Sequence, residues 1–133
     1  VESRGPVLVG ALRNATAAGR EAARIARTLD DAGITIVCAG REGAFGIDDA
    51  YTAGCLVDLL QAEGDGEMTD GALAALRLFR SEPDAAALFR RSAAGRNVAA
   101  LGLADDVTYC AQRDRSTAVP TLGRDLQLLS ADG

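Results

Sequence analysis

The sequence predicts an α/β fold with a parallel βαβ core, a helical middle and short C-terminal strands. Three observations carry this: two apolar runs at residues 6–12 (PVLVGAL) and 34–39 (ITIVCA), an amphipathic stretch between them, and helical periodicity over most of residues 47–101.

The first run is continuous and rich in Val and Leu, as expected of a strand buried on both faces. Asn14 or Thr16 can cap the helix that follows, which runs to about Asp31 with Ala18, Ala22, Ile25, Ala26 and Leu29 on its apolar side, and Gly33 stops it. The run 34–39 is uncharged and β-branched at four of its six positions, the clearest strand in the chain. Strand, helix and strand over this length form a right-handed crossover, so the two strands are expected to lie parallel. Gly40, Gly43 and Gly46 break the next loop, and a helix is expected from Ile47 to about Glu63. Residues 64–68 form a polar turn. Helices are expected over 69–80 and 83–92, with Leu73, Leu76, Phe79, Leu88 and Phe89 pointing inward, and a shorter one over 96–101 that ends at Gly102. Residues 107–111, 118–121 and 126–129 read as short extended pieces. No repeat or linker divides residues 1–133, so one globular unit is expected.

Composition excludes several function classes. The net charge is −5, all 14 basic residues are Arg without forming a stripe, and five aromatic residues offer no stacking platform, so nucleic acid is not an expected partner. Arg20, Arg24 and Arg27 share one helical face and read as a solvated surface. The complete lack of histidine removes Ser-His-Asp and Cys-His relays and His-ligated zinc. Cys38, Cys55 and Cys110 are odd in number and far apart, which suits reduced thiols in a cytoplasmic protein, and no apolar run has membrane-spanning length.

The segment 38–54, CAGREGAFGIDDAYTAG, sets a Gly-rich loop between a strand and a helix, where open parallel sheets bind ligands. Gly40 and Gly43 allow close backbone approach, and the helix starting after Gly46 offers N–H groups to a phosphate or sulfonate. The loop is neither GxGxxG nor GxxxxGK[ST], and the chain has no Lys. Cys38 lacks the Cys-x5-Arg spacing of cysteine phosphatases. Glu42, Asp48 and Asp49 could hold Mg²⁺, which takes one or two carboxylates and keeps several waters. Asp48 and Asp49 equally suit a helix start, where they cap it and complement its dipole. Asn14 could meet a ligand at the same sheet edge as Cys38, or cap its helix. Tyr109, Cys110, Gln112 and Asp114 form a second polar cluster that reads as a strand end.

Taken in order, VLVGALRNATA (7–17), VCAGREGAFGIDDAYTAG (37–54) and DVTYCAQRD (106–114) resemble the second half of the 2-phosphosulfolactate phosphatases. The resemblance spans nearly the whole chain and is most specific in its middle segment. It implies a larger α/β fold and Mg²⁺-dependent removal of phosphate from 2-phospho-3-sulfolactate on the route to coenzyme M. It also implies a small anionic substrate, Glu42 and Asp49 as catalytic residues, and Glu42, Asp48 and Asp49 as metal ligands. Asn14, Cys38, Gly40 and Gly43 would line the substrate. Family members commonly carry Glu-Asp where this chain has Asp48-Asp49. They also carry upstream an Asp-x-x-Arg-Ala-Thr-Thr-like strand and a Thr-Thr-Asn-Gly-Thr-like segment that this sequence lacks. A companion N-terminal half acting in trans, or a homo-oligomer, is therefore an expected partner. The rival from another class is a non-catalytic anion-binding or interaction module with the same ancestry.

Overall fold

The computed structural model describes residues 5–29 and 32–122, together with the main chain of 128–129. Helices dominate it. Ala-rich α1 (Ala15–Thr28) turns Ala15, Ala18, Gly19 and Ala23 inward, and these small residues let it lie close on α2 (Ile47–Glu63). A Cβ on Gly19 would stand only 3.3 Å from Leu59 Cβ. Helix α2 is the central element, burying Ala50, Tyr51, Ala53, Gly54, Cys55 and Val57.

Side-chain caps start the next three helices. Thr69 accepts from Ala72 N–H at α3 (Asp70–Ser81), Asp84 from Ala87 N–H at α4 (Ala85–Arg91), and Ser92 from Gly95 N–H at α5 (Ala93–Ala100). Gly102, at φ +80°, ends the run that precedes α6 (Ala104–Cys110). The core joins Leu12, Ala15, Tyr51, Cys55, Leu88, Phe89 and Val107. Within it the Tyr51 ring meets Phe79 and Phe89 edge-on, at centroid distances of 5.2 and 5.8 Å, and its hydroxyl donates to Glu82 O.

The helical middle is as expected, but Leu73 is 41% exposed and points outward. The extended piece expected over 107–111 is mostly the end of α6: Asp105 and Asp106 occupy that helix's first turn, where they favour its dipole, and only Val107 is buried. Asp31, Leu126 and Gln127 lie outside the described residues.

The sheet differs from expectation. Strand β1 (Val7–Leu8) pairs antiparallel with β2 (Thr121–Leu122), Val7 opposite Leu122 and Leu8 opposite Thr121, and β2 pairs antiparallel with β3 (Leu128–Leu129). No parallel pair occurs among the described residues, and 34–39 runs as coil with Val37 84% exposed. The physical reason is the absence of neighbours. A strand apolar on both faces needs a ladder along its edges and a layer over each face, and the described residues give 34–39 neither.

Candidate functional site

The loop from Gly40 to Gly46 is shaped by backbone sign. Gly40, Glu42 and Gly43 have φ of +64°, +51° and +77°, and Arg41 and Ala44 exchange both main-chain hydrogen bonds at 3.2 and 2.8 Å. Positive φ at both central positions, Glu42 and Gly43, is the pattern of a tight type I′ hairpin turn. That turn holds the Glu42 side chain out in solvent, 85% exposed and 3.9 Å from Arg41.

Helix α2 begins where this loop ends. Asp48 and Asp49 lie in its first turn, and neither caps it by a side-chain hydrogen bond; Asp49 Oδ2 instead accepts from Gly40 N–H at 2.6 Å. The helix start thereby pins the end of the 34–39 segment. A Cβ placed on Gly46 would stand 3.0 Å from Asp49 Oδ2 and 3.3 Å from Asp48 Oδ1. Both carboxylates therefore face one point that is open because residue 46 is glycine.

This arrangement has a chemical consequence. The N–H groups at the start of α2 favour an anion, but two carboxylates crowd the same place and repel one. A divalent cation between them would reverse that repulsion, and a pair of hard oxygen donors suits Mg²⁺ with its remaining positions held by water. Glu42 does not complete a triad: no group of three Asp, Glu or Cys side chains among the described residues is arranged to hold a metal.

Cys38 is exposed beside this site, its thiol held above the usual range by desolvation and by the charge of Asp49. That environment disfavours the thiolate and hence nucleophilic chemistry. Cys55 is fully buried, and burial pushes its thiol up to about 11.

Asn14 lies elsewhere and is 7% exposed. Its amide donates to Val9 O at 3.0 Å and Ala118 O at 2.8 Å, while its carbonyl oxygen accepts from Ala11 N–H at 2.8 Å. These bonds join β1, the start of α1 and the C-terminal tail. The 109–114 cluster belongs to the same clasp. Arg13 lies 3.5 Å over the Tyr109 ring and donates to Tyr109 O and Gln112 Oε1, and Asp114 holds Thr16. Sequence reasoning missed this role because its partners lie about a hundred residues apart, beyond any local pattern.

The chain also matches known proteins. The model of a family described as 2-phosphosulpholactate phosphatase covers residues 1–125. The chain belongs to that family. Among 2-phosphosulpholactate phosphatase relatives, one from Thermus thermophilus named "Probable 2-phosphosulfolactate phosphatase" is 45% identical over 116 residues, covering 87% of this chain and 47% of the relative. A protein of the same name from Deinococcus radiodurans is 42% identical over the same coverage of each chain. Another, from Symbiobacterium thermophilum, is 34% identical, covering 86% of this chain and 48% of the relative. The chain thus spans about half the length of the curated 2-phosphosulpholactate phosphatases it matches. Among the described residues, no helix is long and apolar enough to cross a membrane.

Proposed function

We propose that this chain carries the metal-binding part of a Mg²⁺-dependent phosphatase that removes phosphate from 2-phospho-3-sulfolactate, a step towards coenzyme M, or from a related phosphate monoester. The observation that supports this most is the convergence of Asp48 and Asp49 over Gly46 at the start of α2. Family membership supplies the reaction class.

In this reading Asp48 and Asp49 hold the cation directly, and Glu42 would have to swing in from its solvent-facing turn to reach the cation's water. Bound Mg²⁺ would supply charge neutralisation at the phosphoryl oxygens and a more acidic water. The chain's own groups do the rest. The Gly40 N–H fixes Asp49 Oδ2, and the α2 N-terminal N–H groups orient a phosphate or sulfonate oxygen. Gly40 and Gly43 keep the approach free of side chains. Cys38 lines the rim as a neutral thiol.

Release of inorganic phosphate from 2-phospho-3-sulfolactate, followed with and without Mg²⁺, tests the proposal. Metal-dependent release is expected, and none from a folded family protein containing this segment would sink it. The second reading, a non-catalytic anion-binding module, is favoured by the outward Glu42, which leaves only two carboxylates facing the common point.

A further inference from the structure

The corner between α3 and α4 borders a cavity of about 430 Å³ at one end of the core. Its floor is apolar: the Tyr51 and Phe79 rings, which meet edge-on at 5.2 Å, with Pro83, Ala85 and Ala111 around them. Its charged groups come from two separate parts of the chain, Glu82 and Asp84 from the corner and Arg113 from the segment after α6. The Arg113 guanidinium lies 5.9 Å over the Phe79 ring and donates through Nε to Asp114 Oδ2, so its two terminal nitrogens are uncommitted among the described residues. Glu82 gives its main-chain carbonyl to the Tyr51 hydroxyl, but its carboxylate has no partner among the described residues. Asp84 uses Oδ1 to accept from Ala87 N–H and keeps its second oxygen free there. All three charges act on the Tyr51 phenol, which burial and then Cys55 push up: Arg113 draws it down, and Glu82 and Asp84 push it further up.

We propose that this cavity binds a small zwitterion, an α-amino acid with an apolar side chain. Charge complementarity selects that occupant. The two terminal nitrogens of Arg113 suit a carboxylate, which they can grip bidentately. An ammonium group suits the unpartnered oxygens of Glu82 and Asp84. A simple anion would meet two repelling carboxylates, a simple cation would leave Arg113 unmatched, and a neutral apolar molecule would desolvate all three charges without replacing their water. The interior of a peptide carries neither terminal charge. The volume lies within the roughly 300–1,000 Å³ of small-molecule sites. The guest's side chain would pack on the Tyr51 and Phe79 rings, an aromatic one adding a further edge-to-face contact. Neither Asp48 nor Asp49 borders this cavity, so the proposal stands apart from the phosphatase reading. An occupant would tie α2 and the α3–α4 corner to Arg113, the neighbour of the Asp114 that holds Thr16, and so stabilise the clasped form.

Amide NMR shifts of the isotope-labelled chain, titrated with L-phenylalanine, phenethylamine and 3-phenylpropanoate, test it, since these probes share one ring and carry both charges or only one. L-phenylalanine should bind at least ~tenfold more tightly than either one-charge probe. Its shifts should saturate and centre on residues 79–86 and 111–113. Glu82→Gln should weaken L-phenylalanine by a similar factor while leaving the main-chain bond to Tyr51 in place. Arg113→Gln should do the same, and because it also loosens Asp114, the Glu82 variant keeps the test independent of the clasp. The proposal is overturned by the absence of saturable shifts with L-phenylalanine at millimolar concentration, by phenethylamine or 3-phenylpropanoate binding as tightly as L-phenylalanine, by an affinity indifferent to Glu82→Gln, or by shifts centred elsewhere.

Discussion

Asp114 accepts two hydrogen bonds from Thr16, from the backbone N–H at 2.8 Å and from the hydroxyl at 2.7 Å, across 98 residues of sequence. Thr16 stands in the first turn of α1, where helical N–H groups have no partner within the helix. The cap that α1 lacks locally is thus supplied by the distal tail.

That pairing sets a pH dependence. Partial burial raises the Asp114 carboxyl, but the Thr16 N–H and hydroxyl, with the Arg113 guanidinium, outweigh it and hold the group below its ordinary value. A depressed carboxyl contributes stability that is present above its unfolded value and lost as pH falls through its folded one. Asp114→Asn should therefore flatten the acid side of a urea-midpoint-against-pH profile. Asp114→Ala should cost about 1 kcal/mol near neutral pH, as other lost caps do. An unchanged midpoint in both variants would show that the clasp carries no stability.

Gly54 lets α2 and α3 meet. A Cβ there would stand 2.0 Å from Ala75 O and 2.8 Å from Phe79 Cβ, positions no side chain can share. Gly54→Ala should force the helices apart and lower stability by roughly 1–3 kcal/mol or more. Thermal unfolding followed by circular dichroism measures this, and a melting temperature at or above that of the parent refutes it.

Glu42 sits at φ +51° in the turn, a conformation that costs a non-glycine residue about 1 kcal/mol. Glu42→Gly should accordingly raise stability by a comparable amount in denaturant titrations. The same variant should weaken Mg²⁺ binding if Glu42 reaches the cation, so stability and metal affinity should move in opposite directions.

The metal site can be disturbed without removing a carboxylate. Gly46→Ala puts a methyl group at the point both carboxylates face and should weaken Mg²⁺ binding, measured by calorimetry, roughly tenfold or more. Asp49→Asn keeps an oxygen able to accept from Gly40 N–H and should weaken binding at least as much. Unaltered Mg²⁺ affinity in Asp49→Asn would assign that residue to positioning the loop and favour the non-catalytic reading.

Thiol reactivity should sort the three cysteines. Cys38 and Cys110 are exposed and Cys55 is buried with its thiol near 11, so a disulfide reagent at pH 8 should label two positions in the native protein and the third only after unfolding. Cys38 should react more slowly than a free thiol because its environment disfavours the thiolate. Rapid native labelling of Cys55 would contradict the packing around Tyr51.

The helices from 47 to 91 were legible because their boundaries are chemically marked, by Thr69 and Asp84 near their starts and by Gly64 as a stop, whereas Ser92, read as the end of one helix, caps the next, which starts at Ala93 and not at residue 96. The segment 34–39 shows the opposite case. Its composition is that of a strand, but a strand exists only with a partner, and no local pattern states whether one is present. Residues 107–110 were misread because Val, Thr and Tyr favour strands, whereas Asp105 and Asp106 favour a helix start and prevail. At the site, a Gly-rich turn leading to two aspartates was readable. Their convergence over Gly46 was not, since it depends on side-chain rotamers and on a missing Cβ. Asn14 was expected at a sheet edge, and the structure sets it in the clasp because β1 pairs with the tail.

The clasp also imposes an order in time. Asn14 donates to Ala118 O, 104 residues downstream. At about 5–20 residues/s of synthesis, that acceptor leaves the ribosome roughly 5–20 s after Asn14 does. Helices α1 to α6 all emerge within that interval, so the whole helical body is available to pack before β1 can meet its partner strand. Any encounter that captures β1 or the uncapped end of α1 during those seconds competes directly with closure.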